Sequence, residues 1–132
     1  MTINIRSYQS DDFDTIQSLN SQEGWSGLVS RYEATRQAFE QSSPVLVVEY
    51  EGEVIAYLRA LTDQIVTLYV SEVLVREDWR GHGIGKLLLK EAHRLYPDTR
   101  IDMLATSQSQ TYYTQQQFRP FYGFRKSAEE WN

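Results

Sequence analysis

The chain of 132 residues, net charge −5 and no cysteine, is read as one domain, 1–132, long enough to bury about two-thirds of its unfolded surface. A hydrophobic content of 41% with three Trp, nine Tyr and five Phe excludes disorder as the main state, and the missing cysteines exclude disulfides, a thiolate nucleophile and cysteine-ligated zinc or iron–sulfur sites. The acidic balance argues against nucleic acid as partner; no leader-like apolar core and no apolar run near ~18 residues is present, so a cytoplasmic protein without a membrane partner is expected.

Alternation at Ile3, Ile5 and Ser7 predicts a first strand, and Ser10 is expected to cap a helix whose buried face holds Phe13, Ile16 and Leu19. Two glycines break the pattern across 20–27, and a second helix is expected from about Leu28 to Ser42, stopped by Pro44. Val45 to Val48 reads as a central strand, Glu51-Gly52 as a hairpin turn into a strand from Val54 to Leu61, and Ile65 to Val75 as a third, long strand of an antiparallel meander. A glycine-rich turn, Gly81 to Gly85, then opens a helix with Ile84, Leu88, Ala92 and Leu95 on its apolar face. Pro97 ends it. A strand at Arg100 to Ala105 follows, then twelve uncharged residues, Thr106 to Gln117, read as a short helix docked by Tyr112 and Tyr113. Phe118 to Lys126 leaves room for one strand or a very short hairpin around Gly123, and 127–132 reads as a polar tail.

Strand, glycine turn and helix together present free backbone N–H groups and the positive end of a helix dipole to an anion. Arg80 before the turn and Lys86 after it add charge. A plain tight loop with helix-start glycines is the alternative reading. Nucleotide hydrolysis is not supported, because the spacing misses the Walker A pattern and Leu87 stands where a magnesium-binding hydroxyl is needed. A dinucleotide fingerprint would need a glycine at Lys86.

The run Val73-Leu74-Val75, then Arg80-Gly81-His82-Gly83-Ile84-Gly85 followed by Lys86, resembles the acyl-coenzyme A signature R/Q-x-x-G-x-G/A of the GNAT superfamily of N-acetyltransferases, with Arg80, Gly83 and Gly85 at its three fixed positions. The order of expected elements is similar to that superfamily over nearly the whole chain. The resemblance implies an α/β (α+β) fold: a mixed, mostly antiparallel sheet flanked by about four helices and split by the acyl-coenzyme A site. It further implies acetyl-CoA as co-substrate, with Val73 and Val75 on the pantetheine arm and residues 81–86 on the pyrophosphate.

An amine acceptor with a pKa near ~10 must lose a proton before it attacks a thioester. Glu72, where relatives often carry an acidic residue, is the candidate base; a solvated charge on a strand face is its other reading. Tyr112 to Phe118 is similar to the family's F-Y-x-x-x-G-F pattern and places Tyr113 as the proton donor, with packing as the alternative role. Two positions depart from the pattern: Gln117 stands for the usual glycine, and Thr106 for an asparagine that contacts coenzyme A in many relatives. His82 and His93 are expected at the surface, and Trp79 to pack the turn. Two histidines eleven positions apart support no metal centre and no Ser-His-Asp triad.

Residues 1–66 carry four basic against ten acidic side chains, and 67–132 nine against eight. This polarity suits an anionic ligand on the second half and a cationic acceptor on the first. Glu23 and Trp25 are the candidate acceptor contacts, through charge and cation–π attraction. A small-molecule or peptide amine is the expected partner, and a non-catalytic acyl-coenzyme A binding module is the alternative to an enzyme. A lone aromatic strand after Phe118 also predicts a homodimer, since bare apolar edges are normally covered.

Overall fold

The computed structural model describes residues 2–106 and 109–131. Five strands, β1 (Ile3–Ser7), β2 (Val45–Tyr50), β3 (Glu53–Thr62), β4 (Thr67–Val75) and β5 (Arg100–Met103), lie side by side in chain order. The first three pairings are antiparallel and β4–β5 is parallel, which is the mixed sheet expected. Helices α1 (Phe13–Glu23), α2 (Ser26–Ser30), α3 (Tyr32–Gln41), α4 (Ile84–Leu95) and α5 (Gln110–Gln115) complete the described elements, with 3-10 turns at Ser10–Asp12, Glu77–Trp79 and Ala128–Glu130.

The sheet is covered on both faces. Phe13, Ile16 and Leu19 of α1 and Phe39 of α3 pack on Val45, Val47, Tyr57 and Leu74, while Ile84, Leu88, Leu89 and Ala92 of α4 pack on Leu46, Val48, Leu58 and Leu68. Burial on both sides is why β2 reads as a continuous apolar run rather than an alternating one. Glu51 and Gly52, both with positive φ, close the hairpin between β2 and β3, as a two-residue turn of matching twist requires.

Local chemistry moves several expected boundaries. Gln9, not Ser10, precedes the first helical turn, and the Asp12 carboxylate accepts the Gln9 N–H at 2.8 Å and two Arg6 N–H groups at 2.8 Å. The single helix expected over 28–42 is broken at Arg31 into α2 and α3. The Leu28 carbonyl accepts from Gln17 at 3.0 Å and Thr35 at 2.8 Å, so side chains take the acceptor that a continuous helix would give to Tyr32. β4 begins at Thr67 rather than Ile65, because Asp63 Oδ1 accepts the N–H groups of Ile65, Val66 and Thr67. β5 stops at Met103, short of Ala105, and Leu95 is exposed in the last turn of α4.

The strand expected over Phe118 to Lys126 is absent, as is a hairpin around Gly123. Gln117 (φ 70) ends α5 in the left-handed region, with Gln117 N–H on the Thr114 carbonyl and Phe118 N–H on that of Tyr113, each at 3.0 Å. These two bonds make a Schellman termination, whose turning residue is usually glycine. The following segment passes the end of β5 rather than its edge: a Cβ built at Gly123 would lie 2.1 Å from Leu104 Cδ2. Phe121, Tyr122 and Phe124 are left exposed, and among the described residues the outer edge of β5 has no strand partner.

Candidate active site

β4 and β5 pair only from Thr67 to Val70 against Arg100 to Met103. Past that point the register of β4 against β3 slips, Glu72 facing Arg59 and Val70 facing Ala60, so Ser71 is the extra residue of a bulge. A bulge bends its strand, and this one sits where β4 leaves β5. Val73, Leu74 and Val75 stay paired with Leu58, Tyr57 and Ala56 of β3; their other edge has no strand partner among the described residues. The sheet is therefore split beside the residues to which the family resemblance assigns a pantetheine arm.

The glycine turn follows directly. Trp79 packs it down, 4.8 Å from the Tyr50 ring and 5.4 Å from His82, and His82 Nδ1 lies 3.1 Å from the Trp79 carbonyl. Gly81 and Gly83 adopt φ of 83° and 77°, and nothing lies within 4 Å of where their Cβ atoms would be. Gly83 is the N-cap of α4 and supplies no side-chain cap. Among the described residues, the N–H groups of 81–86 donate to no backbone carbonyl, as helix geometry requires of the first turn unless something outside the helix accepts them. Ile84 anchors the turn from below as a buried core residue, and Lys86 lies on the solvent side, lining with Lys90, His93, Ile101 and Phe118 a cleft of about 490 Å³. An unpaired strand edge, an open turn and uncovered amides next to Arg80 and Lys86 fit the amides and pyrophosphate of a coenzyme A arm.

Arg80 bridges two parts of the site. Its Nε donates to the Val75 carbonyl at 3.0 Å, and its other end pairs with Glu23 at the C-terminus of α1. Trp25 is half-buried against the α1 and α3 core.

Glu72 does not stand free. Both of its oxygens accept from Arg59, at 2.7 and 2.5 Å, and Arg59 also reaches Ser42 at 3.1 Å and lies over the Phe39 ring. Burial pulls the Arg59 guanidinium down, and the Glu72 hydrogen bond and charge outweigh it, holding Arg59 above its ordinary value. The carboxylate keeps lone pairs beyond those facing Arg59, so it can still accept a hydrogen bond from water.

On α5 the two tyrosines divide. Tyr113 is half-buried on the α4 side of the core, 5.8 Å from Phe118, and Tyr112 lies with its hydroxyl over Gly85, 3.0 Å from where a Cβ would stand, with Val75 Cγ2 3.9 Å from the same point. Burial raises both phenols above their ordinary range, that of Tyr113 with help from Tyr112, so each holds its proton through neutral pH. The sequence carries no signal for Tyr112 at the turn beyond its place beside Tyr113. Thr106 sits ahead of α5, its carbonyl accepting from Ser109 and Gln110 at 3.1 Å.

The acetyltransferase (GNAT) domain family matches residues 41–120. The chain therefore belongs to the GNAT family of acyl-CoA-dependent N-acetyltransferases. No curated protein sequence matches it. Among solved structures it is similar to a GNAT family acetyltransferase of Streptococcus pneumoniae TIGR4, with 19% identity, 98% of each chain covered and a TM-score of 0.78. It is also similar to an aminoglycoside N-acetyltransferase in complex with CoA (14% identity, 95% of each chain, TM-score 0.73). A third, glucosamine-6-phosphate N-acetyltransferase from Arabidopsis thaliana, has 15% identity, covers 96% of this chain and 98% of its own, and gives a TM-score of 0.69. At these identities the likeness is one of fold. No helix among the described residues is long and apolar enough to cross a membrane.

Proposed function

We propose that this chain, as one domain over 1–132, transfers the acetyl group of acetyl-CoA to a primary amine by direct attack. The observation that carries the reading is the open Gly81–Gly83 turn, whose uncovered amides adjoin the unpaired edge of Val73 to Val75. Acetyl-CoA supplies an activated acetyl thioester. Residues 81–86 hold its pyrophosphate by backbone donors, Arg80 and Lys86 add charge, the Val73 to Val75 edge takes the amides of its arm, and Thr106 lies within reach of the same co-substrate. Side chains do the proton work and no metal is invoked: Glu72, anchored by Arg59, receives the amine proton through water, and Tyr113, protonated because burial raises it, donates to the departing sulfur. Tyr112 lies over Gly85 and lines the same passage.

The acceptor is a cationic small molecule or peptide amine, approached from the acidic first half, with Glu23 and Trp25 at its side of the site. A cytoplasmic location fits such a partner. Thiol release from acetyl-CoA across a panel of amines tests the whole reading. Turnover with at least one amine supports it; tight acetyl-CoA binding with no turnover on any amine points to the non-catalytic module instead.

The same reading includes a homodimer. Its support is twofold: the exposure of Phe121 (81%), Tyr122 (98%) and Phe124 (96%), and the edge of β5, which has no strand partner among the described residues, since native proteins cover such edges and patches. Light scattering at micromolar concentration decides it. A particle of twice 15.4 kDa that shifts to monomer in Phe121→Asp or Phe124→Asp is expected, and a monomer unchanged by either removes the dimer.

A further inference from the structure

Glu23 is the last residue of α1, and no basic side chain stands in that helix's final turn. A carboxylate there opposes the helix dipole, so its place is not explained by α1 itself. What it touches is Arg80, 57 positions away, the first fixed residue of the coenzyme signature. The other guanidinium near the turn is committed elsewhere: Arg76 pairs with Glu53 at 2.5 Å and Asp78 at 2.7 Å. Arg80 is thus shared between the acceptor side of the site, through Glu23, and the split strand, through the Val75 carbonyl at 3.0 Å.

The pair is exposed, with side chains 48% and 32% accessible, and an exposed ion pair contributes at most about 1 kcal/mol, equivalent to roughly fivefold in an equilibrium constant. A pyrophosphate carries more charge than one carboxylate and, held by the amides of 81–86, lies one residue from Arg80.

We propose that Glu23 and the coenzyme pyrophosphate compete for Arg80, so that loading of the glycine turn releases the Glu23 carboxylate for the ammonium group of the acceptor. This deepens the functional reading above and rests on it. Glu23 is then a positioning residue that couples two sites: it weakens coenzyme A binding by occupying Arg80 and strengthens acceptor binding once it is freed. By linkage, an acceptor that draws Glu23 off Arg80 strengthens coenzyme A binding by the same factor as coenzyme A strengthens acceptor binding.

The test is calorimetric titration of coenzyme A into the wild type, Glu23→Gln and Glu23→Ala, each also in an Arg80→Ala background. Both Glu23 substitutions remove an unfavourable charge from the end of α1, so the folded state is expected to survive, which the melting temperature verifies. Competition predicts that coenzyme A binds up to about fivefold tighter to both variants, and that this gain vanishes when Arg80 is absent. A merely structural bridge predicts the opposite sign, since loosening the turn would weaken binding. Coenzyme A affinity that is unchanged or weakened in folded Glu23→Gln and Glu23→Ala overturns the coupling while leaving the acetyltransferase reading intact. Failure of the wild type to bind coenzyme A overturns both.

Discussion

Two glycines of one turn should respond to alanine in opposite ways. At Gly83 the backbone has φ 77°, a region that costs an L-residue roughly 1–2 kcal/mol, and the loss of chain freedom in the unfolded state returns about 0.4–1 kcal/mol of that. Gly83→Ala is therefore expected to destabilise by about 1 kcal/mol, although nothing crowds the new methyl. Gly85 is the second residue of α4, where alanine gains at most about 1 kcal/mol of helix propensity. The obstacle is the Tyr112 hydroxyl, 3.0 Å from the new Cβ, and this is the far end of an exposed side chain that can give way. Gly85→Ala is thus neutral to stabilising. In thermal unfolding followed by circular dichroism, the variants should lie on opposite sides of the wild type or at least ~3 °C apart. Equal melting temperatures, or a stabilised Gly83→Ala, would refute the assignment of the turn's strain to Gly83.

Gln117→Gly should stabilise by about 0.5–1 kcal/mol, the left-handed cost relieved less the added freedom of the unfolded chain; urea denaturation would show an unchanged or lower midpoint if that cost is not present. Asp12 is held below its ordinary value chiefly by the Arg6 hydrogen bond, against a cost of burial, so its contribution is complete above about pH 4 and fades as pH falls through its lower folded value. The Asp12→Asn variant should then be less stable than wild type at pH 7, with the gap closing in acid; a gap that is constant from pH 7 to pH 2 contradicts this linkage. Tyr113→Phe should lower turnover by about 100-fold with little change in coenzyme A affinity, and a loss confined to Tyr112→Phe would move the proton donor to the hydroxyl over Gly85.

Much of the fold was legible because burial follows period. Phe13, Ile16 and Leu19 at helical spacing, Val45 to Val48 as an unbroken run, and Ile84, Leu88 and Ala92 all lie in the core where the pattern put them. Two of the misses share a cause: polar side chains took backbone groups that periodicity assumes are free. Gln17 and Thr35 on the Leu28 carbonyl broke a helix, and Asp63 on three successive N–H groups shortened β4. At the site, the glycine turn was readable because its chemistry is backbone chemistry at a fixed spacing. The Arg59–Glu72 and Arg80–Glu23 pairs were not, since they join residues 13 and 57 positions apart and depend on strand register and on where α1 ends. Gln117 shows the two levels agreeing after all: it departs from the family's glycine at a position whose φ is 70°, so the departure is one of cost rather than of geometry.

Ligand-dependent melting tests the proposal that the Gly81 to Lys86 turn holds the coenzyme A pyrophosphate. Acetyl-CoA at 100 times its Kd should stabilise the chain by roughly 2.7 kcal/mol, magnesium-ATP should do much less, and Gly83→Glu, which sets a carboxylate among the turn's amides, should abolish the acetyl-CoA shift. Equal shifts from acetyl-CoA and ATP, or a full acetyl-CoA shift retained by Gly83→Glu, would contradict it.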